Sequence, residues 1–123
     1  MKMQVLIIED NPENMYLMRY LLENQGYEVE GVTSGPEGIE ILERIKPDAI
    51  LLDIQLPGMD GYEVARELRK NPEINSIPII AVTSYAMVGD KEQALAAGAD
   101  AYIEKPINPD TFVAEIEKYL IKI

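Results

Sequence analysis

Two stretches of this chain, Val5-Leu6-Ile7-Ile8 and Ala49-Ile50-Leu51-Leu52, are apolar at every position. A strand with one face in water alternates apolar and polar residues, so a strand that does not alternate is buried on both faces. Each run also ends in acids, Glu9-Asp10 after the first and Asp53 after the second. Asp53 is followed by Pro57, Gly58, Asp60 and Gly61, which are turn residues, so its carboxylate is expected at the mouth of a sheet. In open parallel sheets, ligands and chemistry collect beyond the carboxyl ends of the strands.

The segments between these runs read as helices. Asn11-Pro12 is a cap followed by proline at the first helical position, and Met15, Met18, Leu21 and Leu22 form an apolar stripe that Gly26 ends. Residues 27–32 alternate, with Glu28 and Glu30 on one side, as suits a strand near a sheet edge. Ser34 with Glu37 is a capping-box pattern, and Ile39, Leu42 and Ile45 continue a helix until Pro47. Asp60 with Glu63 repeats that cap, and Val64, Ala65 and Leu68 face inward as far as Asn71-Pro72. Residues 77–82 are a fourth strand ending in Thr83 and Ser84.

Residues 91–97 are alanine-rich and weakly apolar, so this helix, capped by Gly98, is expected to be held less firmly than the others. Ala101-Tyr102-Ile103 is a short fifth strand running into Glu104-Lys105-Pro106. Asn108-Pro109 repeats the cap-then-proline signal, and Phe112, Ile116, Tyr119 and Ile123 supply the inner face of a last helix. Five strands alternating with five helices through short turns make an α/β domain, a doubly wound parallel sheet with helices on both faces.

A chain of 123 residues, 47% of them hydrophobic, suits one domain with a single sizeable core, and no second domain is expected over residues 1–123. The 22 acidic against 11 basic side chains give a net charge of -11, which repels a phosphate backbone and argues against direct binding of nucleic acid. There is no cysteine and no histidine, which excludes disulfides, thiolate or imidazole metal sites and triad chemistry. No apolar run reaches the roughly 18 residues of a membrane span, and the start lacks a signal peptide, so a cytoplasmic protein without membrane association is expected.

Parallel strands point the same way, so Glu9, Asp10, Asp53, Thr83 and Lys105 are expected on one rim. Two carboxylates about 4 Å apart repel by around 4 kcal/mol at an effective dielectric near 20, so clustering three acids needs a counter-charge or a proton. A hard divalent cation, magnesium, is the natural partner, since these residues include no soft ligand to favour zinc or copper. With one phosphoryl oxygen on the cation, Lys105 and Thr83 are placed to contact the others, and Asp53 is the nucleophile that would form an aspartyl phosphate.

Over essentially its whole length the chain resembles the receiver domain of two-component response regulators. The resemblance rests on Ile8-Glu9-Asp10-Asn11, on Leu52-Asp53-Ile54-Gln55-Leu56-Pro57-Gly58-Met59-Asp60-Gly61, on Val82-Thr83-Ser84 and on Tyr102-Ile103-Glu104-Lys105-Pro106. Through Gln55-Leu56-Pro57, Tyr85-Ala86-Met87 and Lys105-Pro106-Ile107 it is most similar to stand-alone receivers of the DivK type, and hybrid-kinase receivers are similar as well. Fold-level rules and this resemblance together imply a flavodoxin-like sheet in the order 2-1-3-4-5.

The resemblance implies that Asp53 takes a phosphoryl group from a phosphohistidine on a sensor histidine kinase or histidine phosphotransfer protein. It implies magnesium held by Asp10, Asp53 and the backbone carbonyl of Gln55, with Glu9 assisting through water. Lys105 would contact the phosphoryl group, and the peptide before Pro106 would be cis. Thr83 and Tyr102 would act as the switch that changes the surface of the fourth helix, fifth strand and fifth helix. A downstream protein target would read that surface, and phosphorylation-dependent dimerisation is left open.

Gln55 and Tyr85 stand where the family's residues flank the phosphoryl group, and bulky Tyr85 is expected to hinder the attacking water and lengthen the life of the aspartyl phosphate. The expected role is a signalling switch rather than an enzyme, with a receiver fragment of a larger regulator as the alternative. An aspartate-nucleophile phosphatase of haloacid-dehalogenase type places a second acid where this chain has Gln55. A flavodoxin needs a hydroxyl-rich loop where it has Glu9-Asp10-Asn11-Pro12, and no glycine loop with lysine serves a nucleotide.

Overall fold

The computed structural model describes residues 3–56, 58–83 and 89–120, the side chain of Asp90 excepted. Five strands form one parallel sheet: β1 (Gln4–Ile8), β2 (Glu28–Val32), β3 (Ala49–Asp53), β4 (Ile79–Thr83) and β5 (Ala101–Glu104). Their order is β2-β1-β3-β4-β5, as expected. Four helices connect them, α1 (Pro12–Asn24), α2 (Gly35–Ile41), α3 (Gly61–Arg69) and α4 (Asp90–Ala97), and α5 (Phe112–Leu120) follows the last strand.

Strand periodicity sends alternate side chains to opposite faces, which gives two half-cores. Leu6, Ile8, Ile50, Leu52, Ile79 and Ala81 meet α2, α3 and α4 on one face. Val5, Ile7, Ala49, Leu51, Ile80 and Val82 meet Met18 and Leu22 of α1 and Phe112 and Ile116 of α5 on the other. This is why Val5–Ile8 of β1 and Ala49–Leu52 of β3 are apolar throughout: each buried leucine or isoleucine contributes about 1.5–3 kcal/mol whichever face it takes. β2, at the sheet edge, is only half-buried, in keeping with its glutamates.

Two helix boundaries differ from the sequence expectation. α2 stops at Ile41 instead of running to Pro47; its buried face carries Gly35, Gly38 and Ile41, and Ile39 and Ile45 pack half-buried against the same half-core as Leu42, as the apolar stripe predicts. A Cβ on Gly38 would stand 2.5 Å from the Ile8 Cδ1, so the helix lies too close to β1 for a larger residue. α5 begins at Phe112, because Asn108 caps a preceding turn: its Oδ1 accepts from the Asp110 N–H and its carbonyl from those of Thr111 and Phe112. The inner-face assignment of Ile123 lies outside the described residues.

α4 is sparsely packed. Among its described side chains Ala94 and Ala97 are the buried ones, Leu95 is exposed, and Gly89 before its first turn offers no side-chain cap. Its C-terminus is better held. Gly98, at φ +119°, closes the helix, and the Arg69 guanidinium donates to the Gly98 carbonyl at 2.8 Å and to Asp100 Oδ2 at 2.6 Å.

Candidate functional site

The registers Ile8↔Leu52, Asp53↔Val82 and Thr83↔Glu104 bring the carboxyl ends of β1, β3, β4 and β5 to one rim. Asp53 is the last residue of β3 and Thr83 the last of β4, while Glu9 and Asp10 follow β1 and Lys105 follows β5. Sheet pairing therefore assembles, from four separate segments, the set expected on the rim.

Glu9, Asp10 and Asp53 each offer a carboxylate oxygen within 4.8 Å of the others. Asp10 is exposed, whereas Glu9 and Asp53 are 1% and 4% accessible. The Lys105 Nζ lies 2.7 Å from Glu9 Oε1 and 3.6 Å from Asp53 Oδ2. Backbone amides complete the arrangement: the Asn11 N–H donates to Glu9 Oε2 at 3.1 Å, and the Gln55 N–H donates to Asp53 Oδ1 at 3.0 Å.

Three acids thus face one ammonium. Burial, and then the charge of Glu9, push the Asp53 carboxyl up to about 7, and the Gln55 amide and Lys105 offset this only in part. The donors are all hard oxygens, gathered around an open cleft of about 440 Å³ whose lining also includes Asn11 and Asn14. That set fits a hard divalent cation such as magnesium, which would relieve the excess negative charge. A larger hollow of about 550 Å³ lies by the amino ends of β1 and β2, lined by Glu23, Tyr27, Glu28 and Glu30 among others, with no cation among the described lining residues.

The remaining sequence-predicted residues are placed as follows. The Thr83 side chain is buried, and its carbonyl accepts from the Lys105 N–H at 2.7 Å, which fixes the start of the lysine. The Lys105-Pro106 peptide is cis, as the resemblance implies. Tyr102 pairs with Ala81 and packs, half-buried, against the α2–α3–α4 half-core, so it stands beside the rim rather than in the cleft. Tyr85, like Pro57 and Ser84, lies outside the described residues.

The sequence reading missed Asn11 as an amide donor to Glu9. Its pattern is shared with Gln55: in both, an acid at a strand end takes the N–H two residues on, as Asp commonly does in turns and as the longer Glu9 does here.

The sequence and the fold are similar to those of known proteins. The chain is 45% identical over 120 residues, 98% of each chain, to the polar-differentiation response regulator DivK of Brucella ovis. Among solved structures it is similar to the receiver domain of a sensor histidine kinase from Pseudomonas aeruginosa with magnesium coordinated in its active site cleft, at TM-score 0.90, 35% identity and 98% coverage of both chains. It is also similar to the phosphorylated cyanobacterial phytochrome response regulator RcpA, at TM-score 0.87 and 27% identity, covering 98% of this chain and 94% of that one. Residues 5–117 match the model of the response regulator receiver domain, and with the fold and the acidic rim in place this chain belongs to that family.

Proposed function

We propose that the protein is a phosphorylation-dependent switch of a two-component or phosphorelay system, with Asp53 as phosphoacceptor. The observation that carries this reading is a buried carboxylate at the end of β3, open to a cleft and 3.6 Å from a lysine ammonium. In the proposed transfer, the Asp53 carboxylate attacks phosphorus, an O–P bond forms, and the N–P bond of a phosphohistidine on a sensor kinase or phosphotransfer protein breaks, with imidazole leaving. Asp10, Asp53 and the Gln55 carbonyl are the residues to hold magnesium, with Glu9 assisting through water. When bound, the cation supplies charge stabilisation to the phosphoryl oxygens.

Lys105 takes a second phosphoryl oxygen, moving from Glu9 toward the new charge, and the Thr83 hydroxyl takes the third. An added charge of about -1.5 to -2 favours whichever arrangement contacts it best, so the population shifts. Thr83 and Tyr102 carry the shift into α4, β5 and α5, where the sparse packing of α4 makes rearrangement inexpensive. Residues 1–123 act in this reading as one receiver domain that signals by docking to a protein target. Gln55 and Tyr85, on sequence position alone, tune the life of the phosphoryl group.

The test is incubation with acetyl phosphate with and without magnesium, followed by mass measurement. Wild type gains one phosphoryl group only with the metal, and Asp53→Ala gains none; labelling of Asp53→Ala, or steady turnover of phosphate esters by wild type, refutes the reading. Phosphate loss from Tyr85→Ala should be faster than from wild type.

A further inference from the structure

The first residue of α3 stands directly against the end of β3. The Gly61 N–H donates to the Ile54 carbonyl at 2.9 Å. A Cβ on Gly61 would lie 2.5 Å from the Ile54 Cα and 2.6 Å from the Asp53 carbonyl oxygen. Both are backbone atoms, which cannot rotate aside as the Val64 side chain opposite Gly35 can. Gly61 does not have a left-handed φ, so space rather than dihedral freedom demands glycine here.

The peptide between Ile54 and Gln55 is consequently held at both ends. Its carbonyl is bound by Gly61, and its N–H by Asp53 Oδ1 at 3.0 Å. A peptide group is planar and stiff, so a push on one end tilts the other. Any displacement of the first turn of α3 therefore reaches the Asp53 carboxylate and the Gln55 backbone, whose carbonyl belongs to the next peptide.

We propose that Gly61 is a positioning residue, which sets the Asp53 carboxylate and the Gln55 carbonyl for magnesium and phosphoryl transfer by letting α3 seat against β3. This rests on the function proposed above for those two groups. Outer-shell groups that orient ligands typically alter metal affinity by about 10–100-fold when changed, and Gly61 would act through that route without touching the cation.

The experiment compares Gly61→Ala with Gly35→Ala on α2, which places its methyl against the Val64 side chain of α3 rather than against backbone. Magnesium affinity, the metal-free amide resonance of Gln55, and the thermal midpoint are measured on each. Gly61→Ala should weaken magnesium by about tenfold or more and move the Gln55 amide resonance before any metal is added. Gly35→Ala should lower the midpoint while leaving magnesium affinity within about twofold of wild type. A folded Gly61→Ala with wild-type affinity and an unmoved Gln55 resonance overturns the proposal, as does an equal loss of affinity in Gly35→Ala.

Should Gly61→Ala not fold, Asp60→Ala takes its place. Asp60 Oδ1 caps the Glu63 N–H at 2.9 Å, so its removal loosens the same turn without adding an atom, and unchanged readouts there overturn the proposal equally. If wild type neither binds magnesium nor accepts a phosphoryl group while the Gln55 resonance still moves in Gly61→Ala, the functional reading fails and the positioning stands.

Discussion

The ammonium of Lys105 belongs to Glu9: its Nζ is 2.7 Å from Glu9 Oε1, in a pair that is 7% and 1% accessible. Asp53, at 3.6 Å, receives less of that charge. Asp53, raised first by its burial, is therefore also left undercompensated beside the charge of Glu9, which disposes the cluster to attract a cation.

A first expectation concerns stability and pH. The Asp53 carboxyl is raised from 3.8 to about 7, so between those values the unfolded chain ionises while the folded one keeps its proton. The contribution of Asp53 to the stability of the metal-free protein therefore falls as pH rises from about 4 to about 7, by at most about 4 kcal/mol and, with water and Lys105 at hand, by about 1–3 kcal/mol. Asp53→Asn removes this penalty. Urea unfolding should show the variant more stable than wild type near about pH 8 and equal to it near about pH 4, with magnesium narrowing the gap by stabilising wild type. An equal difference at both pH values contradicts the account.

Glu9→Gln tests the pairing itself. Loss of the Glu9 charge removes a cause of the raised Asp53 carboxyl and frees the ammonium to turn toward it, so the Asp53 carboxyl should titrate below its wild-type value of about 7. A carboxyl-carbon NMR titration in metal-free buffer reads this directly, and an unchanged midpoint would show that Glu9 does not govern it.

Arg69 holds the far end of α4. Beyond Gly98 and Asp100 its guanidinium donates to the carbonyls of Asn75 and Ile77, at 2.8 and 2.9 Å, tying the turn before β4 to the turn before β5. Arg69→Ala should lower stability by about 2–3 kcal/mol, and Arg69→Lys should recover little of it, since an ammonium cannot spread over these acceptors as a planar fork does. Chemical denaturation checks both variants; full recovery by lysine would reduce the role to charge alone.

Tyr27 ties the start of β2 to α5, its hydroxyl donating to Glu117 Oε2 at 2.6 Å. Burial, then the hydrogen bond and charge of Glu117, push the phenol up from 10.0 to about 12. A phenol raised in the folded state contributes stability below its unfolded value, and this is lost as pH climbs from about 10 to about 12. Tyr27→Phe should unfold about 1–2 kcal/mol more easily at neutral pH and show a flatter decline over that alkaline window, as followed by circular dichroism. A steeper decline would place the titrating group elsewhere.

The sequence alone determined the alternation of strands and helices, the edge position of β2, and the residues of the rim. Those signals are local: an unbroken apolar run, a cap such as Asn11, whose Oδ1 takes the N–H groups of Glu13 and Asn14, or an acid after a strand. Tertiary structure alone decided that Lys105 pairs with Glu9 before Asp53, that α2 presents glycines to Ile8 and Val64, that Gly61 seats against Asp53, and that Arg69 clamps Gly98. Periodicity and capping act over one or two turns of chain, whereas these contacts are distances between segments that only the packed sheet brings together.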